Sequence, residues 1–401
     1  PMTSKANRWL LPDGVDELLP PHADQLEQLR RKIIDLYSGW GYELIKTPLI
    51  EFLDSLLIVP STELQLSTFK LVDQLTGKSM GVRADISSQA ARIDAHVLQR
   101  EGITRLCYAD SVLRTRPQGP LGSRCPQLIG AELYGHSGIE SDIEVISLML
   151  HTLQTVGIPD TLLALGHNQI CCLLLDAARL LPECREKLFT ALQNKATTDI
   201  RQLLADNPLP KALEAVLIQL PNLHGDAKVL VRARALFSTL DSQLCADLNS
   251  ALALLEHVQQ TLASVFPEQT CYFDLCEQRG YDYHTGLIFS AYVSGHGEAV
   301  ANGGRYDAIG EVFGRARAAT GFDTDLKTLL MLSSTVFSTK EKIYAPWQQE
   351  DPALTLIINM LRKQGQCVVQ GFDQSAETAR VQGCTSMLTR QDETWQVTTL
   401  N

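Results

Sequence analysis

Between residues 168 and 268 the sequence keeps a helical periodicity for about a hundred residues, divided by Pro182, Pro208, Pro210 and Pro221, with β-rich segments on both sides. The tract therefore reads as a helical insertion in the middle of a sheet-forming chain. Before it, Leu26, Leu29, Ile33, Leu36 and Tyr37 recur at helical spacing over 22–39, and Gly39 and Gly41 close that helix. FKLVD and SMGVRAD flank Thr76-Gly77 as a hairpin, and Ile86, Ala90, Ile93 and Val97 mark a helix after it. Two β-rich pieces follow at 103–116 and 127–135, then a helix opened by the capping pattern Ser137 to Glu140. β-structure returns at 271–276 and 287–306. GFDTDLKTLL (321–330) reads as a glycine turn running into a helix that buries Leu326, Leu329 and Leu330. Past about 335 the order strand, helix, strand, helix, strand, strand describes a small α/β unit. Long strands adjacent in sequence and interrupted by helices predict an α+β fold: an antiparallel sheet flanked by helices, with the insertion and a small C-terminal domain.

A chain of 401 residues has room for about two or three domains. No apolar run reaches membrane-span length, and the polar start PMTSKANRW predicts no secretory leader. The net charge of −11 argues against a nucleic-acid partner, which calls for a basic face. The ten cysteines are scattered without a CxxC pair, so they read as reduced thiols of a cytoplasmic protein, and no metal site is expected.

Four short stretches carry chemistry. In QLIGAELYG, Leu128, Gly130, Glu132 and Tyr134 share one strand face; a carboxylate aimed at a ligand's amino group, with Gly130 making room, is one reading, but for this strand taken alone an ordinary solvated face is the favoured one. EQRGYDYHTG gathers Arg279, Tyr281, Asp282, Tyr283 and His284 before a strand, where an arginine can fork onto a carboxylate or phosphate. ANGGRYDAIG sets a glycine pair before Arg305 and Tyr306, marking close backbone approach or a bulge. In VRAD, Asp85 is placed to cap the following helix.

Taken in order, these stretches resemble a known family. GYELIKTPLIEF is similar to motif 1 of class II aminoacyl-tRNA synthetases, VLRTRPQGPLGSRCPQLIGAELYG to motif 2 of histidyl-tRNA synthetase, and RGYDYHTG to its histidine-recognition signature. GGRYD and GFDTDLKTLL sit where motif 3 belongs, so the likeness spans residues 8–335. It departs at the ATP side: Lys327 and Thr328 replace the acid and arginine of motif 3, Asp323 and Asp325 replace small or apolar residues, and Arg116 replaces a glutamate. Carboxylates there repel a triphosphate, with no arginine to offset them. The amino-acid side is better kept. The resemblance implies that Asp85, Arg114, Gln127, Glu132, Arg279, Tyr283, His284 and Tyr306 hold histidine, with Leu128 standing where a glutamine is expected.

A histidine pocket without ATP apparatus resembles the regulatory subunits of short-form ATP phosphoribosyltransferase, non-catalytic paralogues of the synthetase. The resemblance implies a core over 1–335, with the insertion at about 168–268, and a small degenerate α/β domain over 336–401. It implies no catalytic residue and no cofactor in this chain. The catalytic partner would use Mg with ATP and phosphoribosyl pyrophosphate in the first step of histidine biosynthesis. Expected roles are activation of that subunit and feedback inhibition by histidine, in a hetero-octamer whose copies of this chain pair through motif 1. The competing readings are a divergent histidyl-tRNA synthetase and a stand-alone histidine-sensing or RNA-binding paralogue.

Overall fold

Leu26, Leu29, Ile33 and Tyr37 lie buried on one side of helix α1 (His22–Gly39), which ends before Gly41 at φ +81°. The computed structural model describes residues 9–57, 62–117, 119, 122–277, 284–392 and 394–400. It divides into two units, Pro1–Thr335 and Val336–Asn401.

The first unit continues with β1 (Glu43–Leu44), β2 (Ile50–Phe52), the short helices α2 (Leu53–Leu56) and α3 (Thr62–Ser67), and the hairpin β3 (Phe69–Val72) and β4 (Ser79–Val82). Helix α4 (Ser87–Arg92) widens into a π-helical turn over Ile93–Leu98, which leaves Val97 exposed rather than buried. Strands β5 (Thr104–Ser111) and β6 (Gln127–Tyr134), helix α5 (Ile139–Thr155) and β7 (Thr161–His167) follow. The insertion is helical: α6 (Asn168–Ala178), α7 (Pro182–Gln193), α8 (Thr197–Asp206), α9 (Lys211–Gln219), the two-residue β8 (His224–Gly225), α10 (Lys228–Phe237) and α11 (Ser242–Val265). The chain then completes the sheet with β9 (Thr270–Asp274), β10 (Leu287–Val293), β11 (Ala299–Arg305) and β12 (Ala319–Asp325), and α12 (Leu326–Leu332) closes the unit.

Among the described residues nine strands form the main sheet, in the order β1-β5-β6-β12-β11-β10-β7-β9-β8. Its centre is antiparallel, but β1 runs parallel to β5 and β7 parallel to β9, so the sheet is mixed. The second parallel pair is what the insertion makes possible, because parallel neighbours need a long crossover. One face packs on α1 and α5. There Phe322 meets Tyr37 edge-on at 6.0 Å, and the buried Arg305 bonds Asp142 Oδ2 at 3.0 Å from the first turn of α5.

Three local expectations are corrected. GFDTD is not a turn: it is strand β12, paired residue by residue with β6, and the helix starts at Leu326 with Asp325 as its cap. Its tight register with β6 and β11 overrides the turn reading of the glycine. Ser137 and Glu140 form no capping box, since α5 is led by Gly138 with no side-chain cap. Asp85 does not cap α4 either; its carboxylate accepts the Ile86 N–H at 2.8 Å.

The second unit holds β13 (Lys342–Ala345), α13 (Pro352–Lys363), β14 (Cys367–Gln370), α14 (Ala376–Val381), β15 (Ser386–Gln391) and β16 (Thr394–Thr399), in sheet order β14-β13-β15-β16. Leu354, Ile358 and Leu361 of α13 pack on Ile343, Val368 and Leu388. Among the described residues no helix is long and apolar enough to cross a membrane.

Candidate functional site

Register decides what faces what on the second side of the main sheet. Glu132 lies opposite Gly321, Gly130 opposite Asp323 and opposite Tyr108, and Gly304 opposite Gly321. Pleating puts partners across an antiparallel ladder on the same face, so Tyr108, Glu132 and Asp323 project together over a floor of glycines. Nothing larger fits that floor. A methyl group at Gly130 would stand 2.5 Å from the Phe322 carbonyl oxygen and 2.6 Å from the Tyr108 hydroxyl, and one at Gly321 would run into the Glu132 carboxylate.

The face is not solvated as the strand alone allowed: Leu128, Glu132 and Tyr134 are all buried. Glu132 is held by three hydroxyls. Ser87 donates to Oε1 at 2.6 Å, Tyr108 donates to Oε1 at 3.0 Å, and Tyr306 donates to Oε2. Burial pushes its carboxyl up to about 8 despite these donors, and the nearby charge of Asp85 adds to the shift. Asp323 is pushed up to about 7, first by burial and then by Asp85, while the Arg114 guanidinium works in the other direction. Asp85, Glu132 and Asp323 thus form one electrostatic group. The same burial keeps Tyr108 well above the usual phenol range.

The remaining residues divide. Arg114 is half-buried, close enough to Asp323 to favour its ionised form, and its Nε donates to the Ala84 carbonyl at 3.2 Å. The His284 imidazole lies over Gly304, where a methyl group would come within 2.8 Å of its Nε2. The side chain of Asn168 donates to the His284 carbonyl oxygen. Tyr306 meets Glu132 directly and packs edge-on against Tyr134 at 6.5 Å. Gln127 departs from expectation: strand alternation assigns it to the face opposite Glu132, while its backbone N–H donates to Asp325 at 2.9 Å. Arg279 and Tyr283 lie outside the described residues. Ser87 and Tyr108 belong to the site although the sequence did not point to them, and Asp323, which the sequence placed on the ATP side, shares the face of Glu132. Treating GFDTD as a strand would have placed Asp323 with Gly321 on that face.

The ATP side is also clear. Thr328, at the position of the family's arginine, turns its hydroxyl to Asp325 at 3.3 Å. Lys327 pairs with Asp16 at 2.9 Å. Acids and hydroxyls line the shared face, so it favours an ammonium or another hydrogen-bond donor over a phosphate chain.

Comparison with known proteins shows the family. Residues 14–329 match the model of the histidyl-tRNA synthetase family, and residues 340–398 match the C-terminal domain of the ATP phosphoribosyltransferase subunit HisZ. An ATP phosphoribosyltransferase regulatory subunit of Thioalkalivibrio sulfidiphilus is 47% identical over 397 residues, covering 98% of this chain and 99% of the relative. One from Stutzerimonas stutzeri is 48% identical over 396 residues, covering 98% of each. The chain belongs to the ATP phosphoribosyltransferase regulatory subunit family. It is accordingly a regulatory subunit and not a synthetase, in keeping with the threonine at 328. Among solved structures, a Bacillus halodurans protein described as an ATP phosphoribosyltransferase regulatory subunit/histidyl-tRNA synthetase superposes with TM-score 0.81 at 25% identity, covering 94% of this chain and 97% of that one. Histidyl-tRNA synthetase of Nostoc sp. PCC 7120 shares the fold, with TM-score 0.74 at 17% identity over 95% of this chain and 91% of that one.

Proposed function

We propose that this regulatory subunit binds a short-form ATP phosphoribosyltransferase catalytic subunit, activates it, and conveys feedback inhibition by free histidine held over the Asp85–Glu132–Asp323 face. The observation that carries the effector reading is the convergence of three carboxylates beside one described arginine, Arg114, where a nucleotide site would need the reverse balance. Three hydroxyls already occupy Glu132, so Asp85 and Asp323 supply the acceptors for histidine's ammonium. Arg114 faces its carboxylate, and its imidazole lies toward His284 and Tyr306. Arg279 and Tyr283 join them by resemblance.

Linkage supplies the mechanism. If histidine binds the less active assembly more tightly, it shifts the complex toward that state, and ligands of the catalytic subunit shift histidine affinity by the same factor. The chemistry, with Mg, ATP and phosphoribosyl pyrophosphate, belongs to the partner. The proposed assembly is a cytoplasmic hetero-octamer in which copies of this chain pair through residues 41–52. That segment exposes Leu44, Leu49, Ile50 and Phe52, which supports a covered surface there.

The test mixes this chain with purified short-form catalytic subunit and follows phosphoribosyl-ATP formation. Faster turnover that histidine suppresses is the expected result. An unchanged rate overturns the activating role, and activation that histidine leaves untouched overturns the effector site.

A further inference from the structure

Helix α7 ends in an arrangement that glycine normally serves. The Lys195 N–H donates to the Leu192 carbonyl and the Ala196 N–H to the Ala191 carbonyl, each at 2.9 Å, with Lys195 at φ +51°. A side chain in that conformation is disfavoured relative to glycine. Strain of this kind points to a role for the side chain.

The Lys195 ammonium lies 2.5 Å from Asp274 Oδ2, and Asp274 is only 7% exposed. The other oxygen of Asp274 accepts the Cys276 N–H at 3.0 Å, fixing the turn that leaves β9. Its carbonyl lies against Gly166 of β7, where a methyl group would come within 2.9 Å. Two residues on, Asn168 holds the segment that leads into β10: its N–H donates to Gly286 O at 2.9 Å and its side chain to His284 O. The His284 ring lies over Gly304 on the acidic face. At the middle of this chain of contacts, His167 Nδ1 and Asn168 Oδ1 are buried with no hydrogen-bond partner among the described residues. Buried polar atoms left unpaired are costly, so this junction is held less firmly than the ladders around it.

We infer that Lys195 is a positioning residue through which the helical insertion sets the affinity of the effector site, acting on His284 by way of Asp274, Gly166 and Asn168. This rests on the effector reading above. It makes the insertion part of the regulation, since any partner or motion that moves the end of α7 is felt at His284.

The test separates the side chain from the backbone it strains. In the full-length chain, Lys195→Gly removes the ammonium and relieves the positive φ; Lys195→Asn also tolerates that backbone and carries no charge. Histidine binding is followed by titration calorimetry and folding by thermal melting. Both variants give up the ion pair with the nearly buried Asp274, but Lys195→Gly relieves the positive φ and is expected to melt above Lys195→Asn, while both bind histidine roughly five-fold more weakly or worse. Asn168→Ala is expected to weaken binding as well, and the double variant Lys195→Gly/Asn168→Ala to lose less than the product of the two. Wild-type affinity in both Lys195 variants overturns the inference. So does a binding loss that tracks a fall in melting temperature, or independent multiplication in the double variant. Failure of the wild-type chain itself to bind histidine strikes the effector reading instead, and this inference with it.

Discussion

Asp325 accepts a hydrogen bond from the backbone N–H of Gln127 at 2.9 Å across 198 residues of sequence, while the same carboxylate accepts the Lys327 N–H at 3.2 Å and the Thr328 hydroxyl at 3.3 Å. One side chain therefore caps α12 and ties it to the start of β6. Asp325→Ala removes a helix cap and orphans a strand N–H. The expected loss is about 2–3 kcal/mol by urea denaturation, the sum of typical cap and unpaired-donor costs. A change within about 0.5 kcal/mol, the range of an ordinary surface substitution, would show that water replaces the carboxylate freely.

Restoring the missing arginine is not expected to restore a synthetase. Thr328→Arg would face Asp325, so its guanidinium pairs with that carboxylate before it meets a phosphate. Histidine-dependent exchange of pyrophosphate into ATP should stay at background. Exchange clearly above it would mean the ATP site is intact apart from one residue.

How legible was this in the sequence? The helical insertion, the hairpin at Thr76-Gly77 and the small C-terminal unit follow from periodicity and turn residues, which are local signals. The central strand β12 does not, because GFDTD has a strand's alternation but a turn's composition, and its partner β6 lies far away in sequence. That one misreading kept Asp323 on the ATP side and apart from Glu132. Gln127 failed for a related reason: adjacency to Leu128 suggested it as a substitute, but a shift of one residue in a strand reverses the face. Glu132 and Tyr306 came from the resemblance, and alternation put Gly130 on the face of Glu132, but Gly321 of the floor was read as a turn.

Glu132→Gln is expected to stabilise the unliganded protein at pH 8 while removing the histidine response. The folded pKa of about 8 lies above the ordinary 4.5, so the folded state keeps a proton that the unfolded chain releases. Stability therefore falls as pH rises from 4.5 toward 8, and the penalty is absent below 4.5. The substitution should gain about 1–3 kcal/mol at pH 8 and almost nothing at pH 4. Denaturant melts at the two pH values check this; equal gains at both would place the effect in packing instead of charge.

Histidine affinity is expected to rise with pH. Glu132 at about 8 and Asp323 at about 7 are largely protonated at pH 6, and a cationic ammonium favours their ionised forms. Binding should strengthen roughly three-fold or more between pH 6 and 8 and should release protons. Calorimetry in two buffers of different ionisation enthalpy measures that release. Proton uptake, or a flat profile, would place the ammonium elsewhere.

Gly321→Ala tests the floor. The added methyl runs into the Glu132 carboxylate, whose three hydroxyl partners hold it in place. A cost of about 1–3 kcal/mol is expected from overpacking, together with loss of histidine binding. A fully stable variant that binds histidine normally would show that Glu132 moves aside without consequence.

The pairing of β6 with β12 has a further consequence, for synthesis. Every hydrogen bond between these central strands joins segments nearly two hundred residues apart, with the whole helical insertion made in between. On the ribosome, β6 emerges with β5 as its neighbour and an open edge on the other side. That edge, which carries the buried Glu132, stays unpaired until residue 325 has left the exit tunnel. The helices of the insertion pack on one another and can begin to fold in that interval, while Lys195 waits for Asp274 of β9. The chain therefore completes its acidic face among the last parts of this unit, and until then the strand that carries Glu132 is also the one most open to mispairing.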